Sequence, residues 1–477
     1  MKNRIYTSAA SLTLLLLFAF SGCKKVLDEE NFSELSTDDF LRTESGIKKL
    51  SIAAYSNAQY VAFPMNVKIN FGELPTDIMF QAGGGVAGNA AQLYNFTWES
   101  TMDWFNGAGW NKCYRTIRDA NLIIDNVGKA PMADAQRKIY LGEAKFLRAF
   151  AYYLLNDWFG PVPLITSSTT TSAEIKRSTE AEINTFLATE FTEAAALLPV
   201  TQPEYGRATK GAALSFLTKY YLNTKQWQKC MDAAKKVMDL NLYDLHPNYV
   251  DMFKVENEIN KEFIFVSPAV NLAGQGNQWM AVSFPATFPR LSNQASFASN
   301  YKLYDAFVNS FDVNDKRRGS ILTSYRTAAN VTVQLLGRNE SRSFKYFPDP
   351  TSLAADAGND IPEVRFADIL LARSEALNEL SGPNQESITL INRVRTRAGV
   401  PLYNMGSFTK ESFREAILNE RLWEFFTEGF RREDLIRQGK FISNAVARGK
   451  NAKDFHLLYP IPQSEIDVSR IEQNAGY

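Results

Sequence analysis

From residue 111 onward, apolar residues recur at helical spacing through much of the chain. Segments 111–127, 135–158, 180–198, 207–223 and 226–240 each carry one apolar stripe, the mark of helices that bury one face. Within 135–158, Ile139, Phe146, Phe150 and Tyr153 lie along such a stripe, and FGPVPL at 159–164 ends the helix with Gly and Pro. An earlier helical pattern runs from Thr37 to Tyr60. It opens on STDDF, in which Ser36 or Thr37 is the predicted N-cap ahead of acids that suit the positive end of the helix dipole.

Two stretches repeat one plan. AALSFLTKYYLNTKQWQKCMDAAKKVMDL reads as two helices joined by a short polar turn, with Ala213 and Ala234 where they approach closely, and resembles a tetratricopeptide repeat. FADILLARSEALNELSGPNQESITLINRVRTRAG at 366–399 does the same, with Ser381-Gly382-Pro383 at the turn. One such unit cannot bury its own face, so the pattern predicts a stacked helical layer. A last long helix is predicted from Lys410 to Thr427, followed by an extended, Pro-bearing tail.

The periodicity fails in two places. Residues 64–110 and the region 241–350 gather Gly, Asn and aromatics and predict long loops, and their aromatic content argues against disorder. In the second region EFIFVSP predicts a short strand, and TVQLL with SFKYF a hairpin. The expected class is therefore mainly α: a tetratricopeptide-like helical repeat scaffold, chiefly 111–240 and 365–440, carrying an irregular loop-rich lobe with a few short strands, chiefly 64–110 and 241–350. Residues 36–477 are expected to form a single domain.

The first 22 residues form a different pattern. Lys2 and Arg4 precede an almost wholly apolar run from Leu12 to Phe20, and Ser21-Gly22 stand before Cys23. That is a secretory signal peptide, too short to cross a bilayer as a helix, and a cysteine at the cut site is the pattern of a lipoprotein. Residues 1–22 are read as the lipoprotein signal peptide, Cys23 as the lipid attachment point and 23–35 as a tether.

Composition excludes several function classes. Lys plus Arg and Asp plus Glu both total 52, so no nucleic-acid footprint is expected. The two histidines, His246 and His456, stand far apart with no ligand or triad partners at useful spacing, so neither a metal site nor a cofactor is expected. Cys113 and Cys230 fall on apolar stripes and read as buried thiols. Around Gly429, Glu420, Arg421, Glu424, Glu428, Arg431, Asp434 and Arg437 could pass for glycosidase carboxylates. With cations interleaved at helical spacing, an ion-pair network is the expectation.

The motifs EAKFLRAFAYYLLNDWFGPVPL, RATKGAALSFLTKYYL, RFADILLARSEALNEL, INRVRTRAGV, NERLWEFFTEGFRREDLIRQGKF and LYPIPQSEIDVSRIEQNAGY, in this order, strongly resemble the SusD/RagB family of outer-membrane nutrient-binding lipoproteins. The resemblance covers essentially the whole chain after the signal peptide, although Ala475 stands where Pro is usual; in the cleavage pattern before Cys23, Phe20 stands where Leu is commoner. It implies a non-catalytic protein on the outer face of the outer membrane. Its repeat layer would dock onto a SusC-like TonB-dependent transporter, and its loop-rich side would bind a glycan. It also implies that EQNAGY anchors the chain end.

A sugar platform needs exposed aromatics with polar neighbours. Trp110, Trp158, Trp227 and Trp423 belong to helices and are expected in the core. Trp98, Trp104 and Trp279 lie in the two long loops with Tyr94, Asn106, Arg290 and Asn293, and also Asn95, Asn277 and Gln278. These are the candidate ligand-binding residues. Alternatives in the same frame are a peptide ligand, a purely structural partner of a transporter, or a surface hydrolase using Glu99 and Asp103.

Overall fold

The computed structural model describes residues 37–59, 67–171, 175–297 and 301–477. The signal peptide, the tether and Cys23 lie outside the described residues, as do Ser36 and Tyr60.

Chain order begins with α1 (Thr37–Leu41), α2 (Glu44–Ala58), α3 (Val67–Glu73) and α4 (Ala87–Asn95), and a π-helical turn at Trp104–Asn111 then leads into α5 (Lys112–Asn126). The single helix expected over 37–60 is two. Thr43 breaks it by adopting an extended backbone and capping the Gly46 N–H with its side chain. The first expected loop, 64–110, is also corrected: two short helices and the π-helical turn occupy much of it. They lack long apolar stripes because they are short, and in α3 every residue is buried, whereas α4 buries only Ala90 and Leu93.

The repeat layer follows the expected boundaries closely. It contains α6 (Asp134–Phe159), α7 (Glu180–Leu197), α8 (Lys210–Asn223) and α9 (Trp227–Met238), each packed on its neighbour in sequence. Capping explains the starts: Thr179 and Glu182 form a reciprocal box at α7, and Thr209 accepts from the Ala212 N–H at α8.

The second lobe contributes α10 (Trp279–Ser283) and α11 (Asp305–Asn309). The layer resumes with α12 (Phe366–Ser381) and α13 (Gln385–Ala398), α9 packing against α12, and is closed by α14 (Lys410–Phe425), α15 (Arg431–Arg437), α16 (Phe441–Ala447) and α17 (Gln463–Ser469). The tail expected to be extended thus holds α17.

Among the described residues the strands form two-stranded antiparallel pairs. β1 (Met79–Gln81) pairs with β3 (Tyr301–Leu303), and β2 (Phe263–Ser267) with β8 (Ile361–Arg365). The expected hairpin is corrected. β6 (Thr332–Gln334) pairs with β5 (Ser324–Arg326), whereas β7 (Arg342–Ser343) pairs with β4 (Ile321–Leu322). Asn330, with φ at 61°, sits in the turn that returns β5 to β6.

A large apolar core runs through both lobes, beside a small second cluster of Leu222, Cys230, Ala372 and Ala376. Cys113 and Cys230 are buried thiols that form no disulfide among the described residues, and Trp110 and Trp158 are in the core, while Trp227 and Trp423 are half-buried. The chain end is anchored as EQNAGY implies: Asn474 donates to the Phe159 and Tyr459 carbonyls at 3.0 and 2.7 Å. Among the described residues no helix is long and apolar enough to cross a membrane.

Candidate functional site

Two-residue alternation along the β1–β3 pair builds the floor of the site. Phe80 stands opposite Lys302, and both are half-buried on one face while Met79 and Leu303 point into the core. Tyr304 continues that face, held by its N–H donating to the Ile78 carbonyl at 3.1 Å. Its ring stacks on Phe80 at 5.0 Å between centroids and 29° between planes. Helix α4 packs on β1 and brings Tyr94 edge-on to Phe80 at 6.3 Å. Three half-buried rings from three segments thus share one surface, next to the exposed glycines 83–85.

The turn after α16 supplies the polar edge. Lys450 Nζ lies 5.2 Å from the Tyr94 ring centre and donates to Asn95 Oδ1 at 2.9 Å. Arg448 donates to Asn444 Oδ1 at 3.1 Å and to the Pro75 carbonyl at 2.7 Å. Burial, and then the neighbouring Arg448 charge, lower the Lys450 pKa. Burial raises that of Tyr304, with Arg448 opposing. Lys302 is paired with Glu340 at 2.5 Å.

Of the residues expected from sequence, Tyr94 and Asn95 enter this cluster. The expectation of exposed indole platforms is corrected for all three tryptophans. Trp98 is 3% exposed, Trp104 6% and Trp279 4%. Trp98 packs on Phe96, His456 and Tyr459. Trp279 donates to the Ser343 carbonyl at 3.1 Å and packs on Tyr301. An indole on a Gly-rich segment buries its large apolar area wherever a partner surface exists.

Asn106 accepts from Asn111 inside the π-helical turn. Arg290 and Asn293 are exposed on the second loop, where Asn293 donates to the Pro350 and Ser352 carbonyls. Arg290 flanks a second aromatic group of Phe284, Phe288, Tyr325 and Phe344. Phe80, Tyr304, Arg448 and Lys450 were missed. The alternation in DIMFQ was a weak signal for Phe80, and nothing local marked Lys450, which reaches Asn95 from 355 positions away.

The acids and arginines around Gly429 form the expected ion-pair network. Arg365 pairs with Glu262 at 2.7 Å, Glu428 at 2.9 Å and Glu424, while Arg317 joins Asp315, Glu420 and Glu424. Arg421 bridges Asp368 and Asp434, and Arg437 bridges Asp434 and Glu375. Gly429 itself, at φ +83°, lets the chain turn against Gly72, where a Cβ on either residue would strike backbone. Carboxylates so engaged are structural. Glu99 and Asp103 are exposed. Among the described residues no group of His, Cys, Asp and Glu is placed to hold a metal ion.

Well-formed cavities lie elsewhere. One of about 630 Å³ lies among α7, α8 and α9, lined by Lys210, Leu217, Tyr221 and Lys236 among others. Another of about 300 Å³ lies between Tyr205 and β2. Neither includes the stacked aromatics.

Comparison with known proteins gives two family matches, the SusD family over residues 241–477 and "Starch-binding associating with outer membrane" over 25–222. The chain is 26% identical to SusD-like protein P25 of Formosa agariphila over 96% of each chain. It is 24% identical to the starch-binding protein SusD of Bacteroides thetaiotaomicron over 86% of this chain and 85% of that one. A solved SusD homologue from Bacteroides thetaiotaomicron superposes with a TM-score of 0.82 at 24% identity, covering 94% of this chain and all of the other. A laminarin-binding SusD-like protein gives 0.78 at 24% identity over 91% of this chain and all of that one.

Proposed function

The chain belongs to the SusD family, and from that premise we propose that it is a surface glycan-binding lipoprotein that captures oligosaccharide and delivers it to a TonB-dependent transporter of the SusC type, without chemistry of its own. The observation that carries the binding reading is the Phe80–Tyr304 stack with Tyr94 at its edge. Rings of this kind cover the C–H face of a sugar, and the Asn95, Lys450 and Lys302 side chains at the rim suit its hydroxyls. A starch-binding relative and a laminarin-binding structural neighbour support a saccharide over a peptide.

The non-catalytic reading is supported by the fate of the carboxylates. Glu420, Glu424 and Glu428 are each held by arginine or lysine in the interior, away from any substrate. Cys23 is the proposed lipid attachment point, and the groove among α7, α8 and α9 belongs to the face we assign to the transporter.

The test is a binding screen of purified protein against glycans beside peptide mixtures, repeated with Tyr94→Ala. Saccharide binding weakened by the substitution is expected. Binding of peptides alone, or release of reducing sugar lost on Glu99→Gln, would overturn the proposal.

A further inference from the structure

We propose that the aromatic site takes glycans carrying an anionic group, a carboxylate or a sulfate ester, and that Lys450, with Arg448 behind it, reads that charge. This deepens, and rests on, the glycan-binding reading above.

The argument is one of charge balance. Elsewhere the interior neutralises its cations: the fully buried Arg317, Arg342, Arg365, Arg421 and Arg432 each pair with a carboxylate. Burying a cation without a counter-charge is costly, so such pairing is the rule.

At the aromatic site, among the described residues, the half-buried Arg448 and Lys450 have no ion-pair partner of their own. Lys450 and Arg448 donate to neutral oxygens, those of Asn95, Asn444, Pro75 and the Tyr304 hydroxyl. Arg448 Nη1 is buried with no hydrogen-bond partner. The acids nearby are already engaged: Asp77 is held by Arg431 at 2.7 Å and by Asn444, and Glu340 by Lys302 and Arg342. The Arg448 charge lies close enough to Lys450 to repel it.

The two cations therefore lie beside the stacked rings with Asp77 as the acid that acts on Arg448, one already paired with Arg431. A neutral sugar would leave that repulsion in place. A uronate carboxylate or a sulfate seated at Lys450, with its ring over Tyr94, would relieve it and accept charge-assisted hydrogen bonds.

The test uses matched pairs that differ in charge: oligouronates beside their methyl esters, and sulfated galactan oligosaccharides beside their desulfated forms, titrated by calorimetry. One charged form should bind at least about tenfold tighter than its neutral partner, as one charge-assisted contact allows. That preference should shrink on raising the salt, and the arm in which it appears tells carboxylate from sulfate. Lys450→Ala and Lys450→Gln should each bring the ratio towards one. Either variant that keeps the wild-type thermal melt yet retains the full preference would overturn the inference, as would equal binding of charged and neutral forms. If neutral glycans bind and no charged one does, the charge reading falls and glycan binding stands. If no saccharide binds at all, the glycan reading itself is lost.

Discussion

Trp98 Nε1 donates a hydrogen bond at 2.6 Å to the hydroxyl of Tyr477, the last residue of the chain. That hydroxyl in turn donates to the Leu458 carbonyl at 2.7 Å. The pair joins the first loop-rich segment to the end of the chain across 379 positions, so Trp98 serves as a tie between distant segments.

Trp98→Ala should therefore cost stability, about 3–5 kcal/mol from the cavity and lost contacts. Trp98→Phe, which keeps most of the packing but leaves Tyr477 without its donor, should cost about 1 kcal/mol. Denaturant titrations read both. A Trp98→Ala protein of native stability would refute the tie.

Removing one partner from the ion-pair network should be more damaging than its exposed-surface equivalent. Arg365→Met removes one cation from three fully buried carboxylates, Glu262, Glu424 and Glu428, leaving them only Arg397, Arg317 and Lys345, at a cost of about 3–5 kcal/mol. Lys235→Met, which breaks an exposed pair with Asp239 at 2.7 Å, should cost well under 1 kcal/mol. Equal melting temperatures for the two variants would contradict this account.

Stability should depend on pH in two directions. Burial raises Glu73 to about 8, and Glu73 Oε2 has no hydrogen-bond partner; burial also raises Glu258 to about 8, where Asp360 adds repulsion, and Asp360 to about 6. Such carboxyls keep a proton that the unfolded chain has lost, so stability falls as pH rises from the ordinary carboxyl range towards 8. Glu428 behaves oppositely. Burial would raise it, but Arg365 and Lys345 outweigh burial and hold it low, so its contribution is present above its ordinary value and lost as pH falls through the folded one. Melting temperature should peak near about pH 5. Glu73→Gln should flatten the alkaline decline, since the amide carries no charge while its Oε1 can still accept from Gly429. An unchanged decline in that variant would remove Glu73 from the explanation.

Phe80→Ala should weaken saccharide binding about tenfold while leaving the fold intact, because the ring is half-buried and stacks on Tyr304. Calorimetry beside a thermal melt separates the two effects. Undiminished affinity in a folded Phe80→Ala protein would move the site elsewhere, the Phe288–Tyr325 group near Arg290 being the next to test.

Cys23→Ala should release the protein from membranes with its saccharide affinity unchanged. Membrane fractionation decides this, and retained attachment would remove the lipid anchor from the proposal.

The sequence by itself determined the helical layer. Periodic apolar stripes and local caps such as Thr179 and Thr209 act within a few residues, so α5 to α9 and the α12–α13 pair were legible to within a few positions. That the charges around Gly429 form ion pairs was legible from their spacing, but most of their partners, Arg317, Lys345, Arg365 and Asp368 among them, come from far along the chain. What only the tertiary structure decided was exposure in the loop-rich lobe. Whether an indole at 98, 104 or 279 faces water depends on surfaces such as Tyr459, Ser343 and Tyr477, supplied from far along the chain. The same holds for the aromatic site. Phe80, Tyr94, Tyr304 and Lys450 meet only because β1 pairs with β3 and the turn after α16 folds back on α4, and long-range closure of this kind leaves no periodic trace in the sequence.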